Sequence, residues 1–284
     1  MIPRPRRSAL YLPASNAKAL AKARELPCDV VILDLEDAVA PDAKAGARQQ
    51  AVEAVAAGGF GTRELIVRVN ALSSEWGADD LAALRGTRAD AVLVPKLDRA
   101  SDVAAYADAL GGDTPLWAMI ETAAAMFRLE EIATAPRMAA FVMGTNDLAK
   151  ELGSKPGPGR EPFLGMLAMS IAAARIGGLA ILDGVFNDID DLDAFERQCA
   201  QAVEYGFDGK TLIHPRQIDP CNRAFTPGDE EIAWARRIEE VFKQPENADK
   251  GAIRLDGRMI ERLHLEQARK ALAIAAAVGA ADGR

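Results

Sequence analysis

Short apolar runs recur along the chain, each ending in polar or charged residues. They are Ser8–Leu12, Val30–Leu33, Leu65–Val69, Ala91–Val94, Leu116–Ile120, Ala139–Met143, Leu179–Leu182 and Gly209–Ile213. Between them lie stretches rich in Ala, Leu and Glu with helical character, such as Ala17–Leu26, Ala43–Ala57 and Ala124–Thr134. Runs that are apolar throughout, alternating with helices, predict parallel strands buried on both faces. Eight such units predict an α/β fold, a (β/α)8 TIM barrel, with an open doubly wound sheet as the main alternative.

The alternation holds over residues 1–226, which are expected to form the barrel catalytic domain. Leu152–Pro162 carries three glycines and three prolines and reads as a long loop over the barrel mouth. Beyond it, residues 227–284 predict a C-terminal helical extension that contributes to the site or to a subunit interface. Thr226 or Asp229 is positioned to cap a helix running to about Lys243, and Glu230 and Glu231 suit its positive end. Gln244–Lys250 reads as a loop and Arg254–Arg258 as a turn, with a final helix over roughly Met259–Val278.

Composition narrows the classes. A net charge of −8 and a pI near 5.0 argue against nucleic acid as a partner. Three widely spaced cysteines, Cys28, Cys199 and Cys221, suggest neither a disulfide framework nor a zinc site. The apolar run after the basic N-terminus is too short for a signal peptide, and none reaches the length of a membrane span. A cytoplasmic protein with no membrane partner is the simplest expectation.

In a parallel barrel, chemistry concentrates at the C-terminal ends of the strands. Those positions hold Asp34, Glu36, Asp37, Arg68, Asn70, Lys96, Glu121, Asp147, Asp183 and His214. Carboxylates outnumber cations, and a divalent cation would balance them. Glu121 and Asp147 end successive strands and could share one magnesium ion, which takes one or two carboxylates plus water and substrate oxygens; two solvated acids are the alternative. Arg68 sits inside an apolar run, where it either holds an anionic or carbonyl oxygen or pairs with Asp34 or Glu36. Acidic neighbours should raise the pKa of Lys96, which excludes Schiff-base chemistry and leaves an anion-positioning or structural role. Two histidines, His214 and His264, are too few for a poly-His metal site; His214 could serve the site or cap a helix.

Taken in order, several segments resemble the citrate lyase beta-subunit-like family of the phosphoenolpyruvate/pyruvate aldolase superfamily. They are Arg6-Arg-Ser-Ala-Leu-Tyr-Leu-Pro13; Leu33-Asp-Leu-Glu-Asp-Ala-Val39 with Lys44 and Arg48; Val67-Arg-Val-Asn70; Val94-Pro-Lys96; Ile120-Glu-Thr-Ala123; Gly144-Thr-Asn-Asp-Leu148; and Gly209 through Gln217. The resemblance implies a homo-oligomeric barrel, a trimer or hexamer, that binds Mg2+. Its expected substrates are acyl-CoA or carrier-bound acyl thioesters. It further implies Glu121 and Asp147 as metal ligands, Glu36 and Asp37 as acidic residues supporting the metal through water, and Arg68 as the arginine that polarises a substrate carbonyl. Arg68, Lys96 and Asn70 are the expected substrate-binding residues.

Two departures from the family pattern stand out. The first loop reads Pro13-Ala14 where relatives carry Pro-Gly. The C-terminal Met-Ile-Asp segment, whose aspartate acts in a neighbour's site, is here Arg258-Met-Ile-Glu261, one methylene longer. The leading expectation is a Mg2+-dependent carbon–carbon lyase acting on a short 3-hydroxyacyl-CoA such as malyl-, citramalyl- or citryl-CoA. The alternatives are a subunit working on a carrier-bound thioester, thioester hydrolysis, or a CoA-binding barrel without turnover.

Overall fold

The structure, a computed structural model, describes residues 4–247 and 249–282. Eight parallel strands close into one barrel. They are β1 (Ser8–Pro13), β2 (Val30–Asp34), β3 (Glu64–Arg68), β4 (Ala91–Val94), β5 (Leu116–Ile120), β6 (Met138–Met143), β7 (Ala180–Asp183) and β8 (Gly209–Leu212). Each pairs with the next, and β8 closes on β1 with Ser8 opposite Lys210. The open doubly wound sheet is thereby excluded, and each predicted strand is present within a residue or so of its expected ends.

Side chains alternate across each strand, so every second residue points into the barrel. The inward set forms one cluster: Ala9, Val30, Ile32, Ile66, Ala91, Leu93, Trp117, Met119, Ala140, Val142 and Leu182. The outward residues, among them Val31, Leu33, Val67 and Phe141, are buried too. That double burial explains why most strands read as apolar runs, while β3 and β8 carry the buried charges Arg68 and Lys210. At the N-terminal end of the barrel Arg6 lies over the Trp117 ring at 5.1 Å and pairs with Glu64 at 2.6 Å.

Local chemistry ends each strand and starts the next helix. Thr122, two residues past the end of β5, caps helix Ala123–Met126 by accepting a hydrogen bond from the Ala125 N–H. The helix expected over Ala124–Thr134 is divided into Ala123–Met126 and Leu129–Ala133, with Phe127 closing the first and Arg128 opening the second. The mouth loop begins after helix Thr145–Leu152, with Gly153 in the left-handed conformation at its cap.

The described residues divide into two compact units, Arg6–Asn222 and a second formed by those from Arg223 onward together with Arg4 and Pro5. In the second, helices Asp229–Lys243 and Arg262–Asp282 enclose Ala235, Ile238, Phe242, Ile253, Ile260 and Leu265. Neither Thr226 nor Asp229 caps the first of these helices. Gly228 holds that position without a side-chain bond, so the acidic first turn carries the electrostatic benefit alone.

A further correction concerns residues 252–261. They form an antiparallel hairpin, β9 (Ala252–Leu255) and β10 (Arg258–Glu261), so the last helix begins at Arg262 rather than Met259. Asp256 and Gly257 both have positive φ, 49° and 79°, as a tight two-residue hairpin turn requires. Among the described residues no helix is long and apolar enough to cross a membrane.

Candidate active site at the barrel mouth

Continuing the inward alternation past the apolar core brings functional groups to the mouth. After Ala9 comes Tyr11, after Ile32 Asp34, after Ile66 Arg68, after Met119 Glu121 and after Val142 Gly144. Gly144 is required there. A Cβ at this position would collide with the Glu121 side chain and come within 2.8 Å of its Oε2. The bare backbone at the end of β6 therefore makes room for the carboxylate from β5.

Arg68 is buried and holds Asp34 in a two-pronged pair. Its Nε donates to Oδ1 at 2.7 Å and its Nη2 to Oδ2 at 2.6 Å. The third corner, Nη1, faces the mouth, 2.9 Å from Glu36 Oε2 and donating to Asp37 Oδ2 at 3.2 Å. The guanidinium lies over the Tyr11 ring at 4.8 Å. Burial is the largest influence on Arg68 and opposes its charge, but Asp34 more than reverses it, so the group is held well above its ordinary pKa. The Asp34 pair and the contacts to Glu36 and Asp37 use different nitrogens of one planar fork.

Asp34 spends its remaining capacity on the loop after β2, accepting from the N–H groups of Glu36 and Ala38. Glu36 is pushed up to about 8, first by burial and then, against the pull of Arg68, by Glu121, Asp37 and Asp34. Glu121, 1% exposed, is likewise raised above the usual carboxylate range by burial, with Lys96 opposing.

Lys96 follows Pro95 at the exit of β4. Its backbone N–H donates to Glu121 Oε1 at 2.9 Å. Its Nζ lies 3.4 Å from the same oxygen and 2.5 Å from Asp147 Oδ1. Burial lowers its pKa, but the bond to Asp147 and the charge of Glu121 outweigh that, and the net shift is upward. An ammonium held above its ordinary pKa is poorly suited to Schiff-base chemistry.

Asn70 is 3% exposed and its carboxamide is spent within the protein. It donates to Leu35 O and Asp80 Oδ2 and accepts from Lys44 Nζ at 2.7 Å. Lys44 also donates to the carbonyls of Leu35 and Glu36, and Asp80 binds Arg48 at 2.7 Å. These contacts fix the loop that carries Glu36 and Asp37. The Lys44–Asn70–Asp80 linkage was missed in the sequence, because Asp80 lies in a separate helix, Gly77–Leu84, with nothing nearby to mark it.

Asp183 has the opposite parity. It follows inward Leu182, so it points out of the barrel, where Lys210 Nζ lies at 2.7 Å and Arg160 Nη1 at 2.7 Å. Burial would raise Asp183, yet Lys210 and Arg160 together hold it below the usual range. Period-two counting along β7 is the signal that separates it from the mouth residues. His214 Nδ1 accepts from the Arg216 N–H, capping the short turn Pro215–Gln217. Glu261 ends β10 in the second unit, where its N–H donates to His264 Nδ1 at 2.9 Å.

Among the described residues no group of three or more His, Cys, Asp and Glu side chains is arranged to hold a metal ion. Glu121 and Asp147 are a pair, and a pair fits magnesium, which keeps several waters and takes one or two carboxylates. A cation already stands between them: the Lys96 ammonium reaches both carboxylates at once. The donors are hard oxygens, which suits Mg2+ and not a soft metal.

Comparison with known proteins finds relatives of this chain over nearly its whole length. The model of the HpcH/HpaI aldolase/citrate lyase family matches residues 7–215. A (3S)-malyl-CoA thioesterase of Cereibacter sphaeroides (strain KD131) is 47% identical over 276 residues, covering 97% of this chain and 96% of the relative. An L-malyl-CoA/beta-methylmalyl-CoA lyase of Cereibacter sphaeroides (strain ATCC 17025) is 34% identical, covering 93% of each. Among solved structures, CitE from Mycobacterium tuberculosis in complex with magnesium, acetoacetate and coenzyme A is 31% identical. It superposes with a TM-score of 0.79 over 95% of this chain and 97% of that one.

Proposed function

This chain belongs to the HpcH/HpaI aldolase/citrate lyase family, and from that premise we propose a Mg2+-dependent enzyme acting on a short 3-hydroxyacyl-CoA of the malyl type. The observation that carries the reading is the pairing of Glu121 and Asp147 across one cation position, beside the mouth-facing corner of Arg68. Glu121 and Asp147 would hold the metal, with Glu36 and Asp37 behind it. When bound, Mg2+ supplies Lewis-acid stabilisation of charge developing on a substrate oxygen.

This chain's residues supply the rest. Arg68 Nη1 would donate to a carbonyl or hydroxyl oxygen of the substrate, while the Asp34 pair prevents the guanidinium from turning. The buried Lys44–Asn70 contacts hold the acidic loop in place, so these groups need no reorganisation at the moment of reaction.

Two reactions share this arrangement. In thioester hydrolysis, water adds to the thioester carbonyl, the C–S bond breaks, and the products are a hydroxy acid and free CoA thiol. In carbon–carbon cleavage, the hydroxyl loses its proton and becomes the carbonyl of a 2-oxo acid. The bonding pair passes to the thioester fragment, which is then protonated to an acyl-CoA. The sequence reading put cleavage first. The 47% likeness to a malyl-CoA thioesterase, against 34% to a malyl-CoA lyase, supports putting hydrolysis first and cleavage second.

Glu261 is a proposed proton donor or acceptor in a neighbouring subunit's site, in the homo-oligomer the resemblance implies. Full turnover by a Glu261→Gln variant would remove it from that role. The deciding experiment incubates the purified chain with (3S)-malyl-CoA, with Mg2+ or with EDTA, and resolves the products by chromatography. EDTA-sensitive release of malate and CoA supports hydrolysis; acetyl-CoA and glyoxylate support cleavage. No turnover of malyl-, citramalyl- or citryl-CoA by a folded chain overturns both.

A further inference from the structure

Lys96 is built unlike the buried cations of the barrel unit. Arg68 is locked onto Asp34, Lys44 onto two carbonyls and Asn70, and Lys210 and Arg160 onto Asp183. Lys96 instead has its backbone fixed and its side chain partly open to solvent. Its φ is +54°, a left-handed conformation that a lysine rarely adopts. The N–H bond to Glu121 Oε1 holds it there. The side chain is 40% exposed, and its terminal ammonium folds back across Glu121 and Asp147.

We propose that Lys96 is a tethered occupant of the metal position, bridging Glu121 and Asp147 in the metal-free protein and released towards the substrate's carboxylate when the metal binds. The inference rests on the assignment of Glu121 and Asp147 as the metal pair. An ammonium and a divalent cation on the same carboxylate pair repel. Metal entry therefore weakens the hold of Asp147 on Nζ and favours its departure. The backbone stays pinned to Glu121, so the freed ammonium remains at the mouth on its four-carbon stem. A malyl-type substrate brings a carboxylate there, and a compact, mobile ammonium suits it. The arrangement keeps the carboxylate pair neutralised until metal arrives, and it couples loading of the metal to readiness for the anion.

The test is Mn2+ binding to the full chain, followed by electron paramagnetic resonance of the free ion. Wild type is compared with Lys96→Gln, Lys96→Met and Lys96→Arg. The neutral variants should bind Mn2+ roughly tenfold more tightly, because no tethered competitor has to leave. Lys96→Arg should bind no more tightly than wild type. At saturating Mn2+, the affinity for L-malate should fall in the neutral variants, since the released cation is missing.

Unchanged or weaker Mn2+ binding by folded neutral variants overturns the competitor role. Tighter Mn2+ binding with unchanged malate affinity overturns the release towards substrate. Failure of wild type itself to bind Mn2+ removes the metal reading, and the inference falls with it. Should one neutral variant fail to fold, the other carries the comparison.

Discussion

Two charge clusters in the barrel unit look alike in sequence and behave oppositely. Outside the barrel, Asp183 meets Lys210 and Arg160, so a single carboxylate faces two cations and is held below its usual pKa range. Inside the mouth, Asp34, Glu36, Asp37, Glu121 and Asp147 face Arg68 and Lys96. There Glu36 is driven up to about 8 and Glu121 is raised. A cluster in which the carboxylate is fully matched by cations holds structure together. One that leaves carboxylates short of cations has capacity for a ligand.

The sharpest break between the two is in stability. Asp183→Asn leaves Lys210 and Arg160 buried without their anion and should cost about 3–5 kcal/mol in denaturant unfolding. A loss under about 1 kcal/mol would show that the outer cluster is not the structural one. Glu121→Gln should do the reverse: unfolding barely changes, while Mg2+-dependent turnover falls at least roughly 100-fold, equivalent to about 2.7 kcal/mol in the barrier. Normal turnover in that variant would remove Glu121 from the site.

The pH dependence of metal-free stability separates the clusters next. Glu36 has a folded pKa of about 8 against an unfolded value near 4.5. The folded state therefore keeps its proton where the unfolded chain has lost it. Stability is unaffected below about pH 4.5 and erodes as pH rises towards 8, by at most about 1.4 kcal/mol per pH unit. Thermal melting of the EDTA-treated protein should show this slope, and Glu36→Gln should flatten it. Asp183 works in the other direction: its depressed pKa contributes stability above the ordinary carboxylate range that is lost on acidification. The smallest effect belongs to the exposed Arg216–Asp190 pair, where Arg216→Ala should shift stability by no more than about 0.5 kcal/mol. A larger shift would mean that surface pairs confuse the comparison.

The strands were legible because burial on both faces removes polar interruptions, so run length alone located them. Arg68 was legible for the converse reason, a charge inside such a run. The β9–β10 hairpin was not, although Asp256-Gly257 is a hairpin signal. Its strands are four residues long, with one charged residue in the first and two in the second, and Met259–Glu261 joins smoothly onto a helical pattern. Asp183 was drawn into the list of mouth residues because strand ends were counted without parity. Asn70 was expected to meet substrate. Its carboxamide is instead committed to Lys44, Leu35 and Asp80, a commitment set by a helix whose placement no local pattern encodes.

The central claim, that the mouth and not the outer cluster is the cation site, is tested most directly by titrating Mn2+ into wild type, Glu121→Gln, Asp147→Asn and Asp183→Asn at a temperature where all are folded. The account predicts one ion per chain for wild type and for Asp183→Asn, with binding lost in both mouth variants. Wild-type binding in Glu121→Gln and Asp147→Asn, or its loss in a folded Asp183→Asn protein, would contradict it.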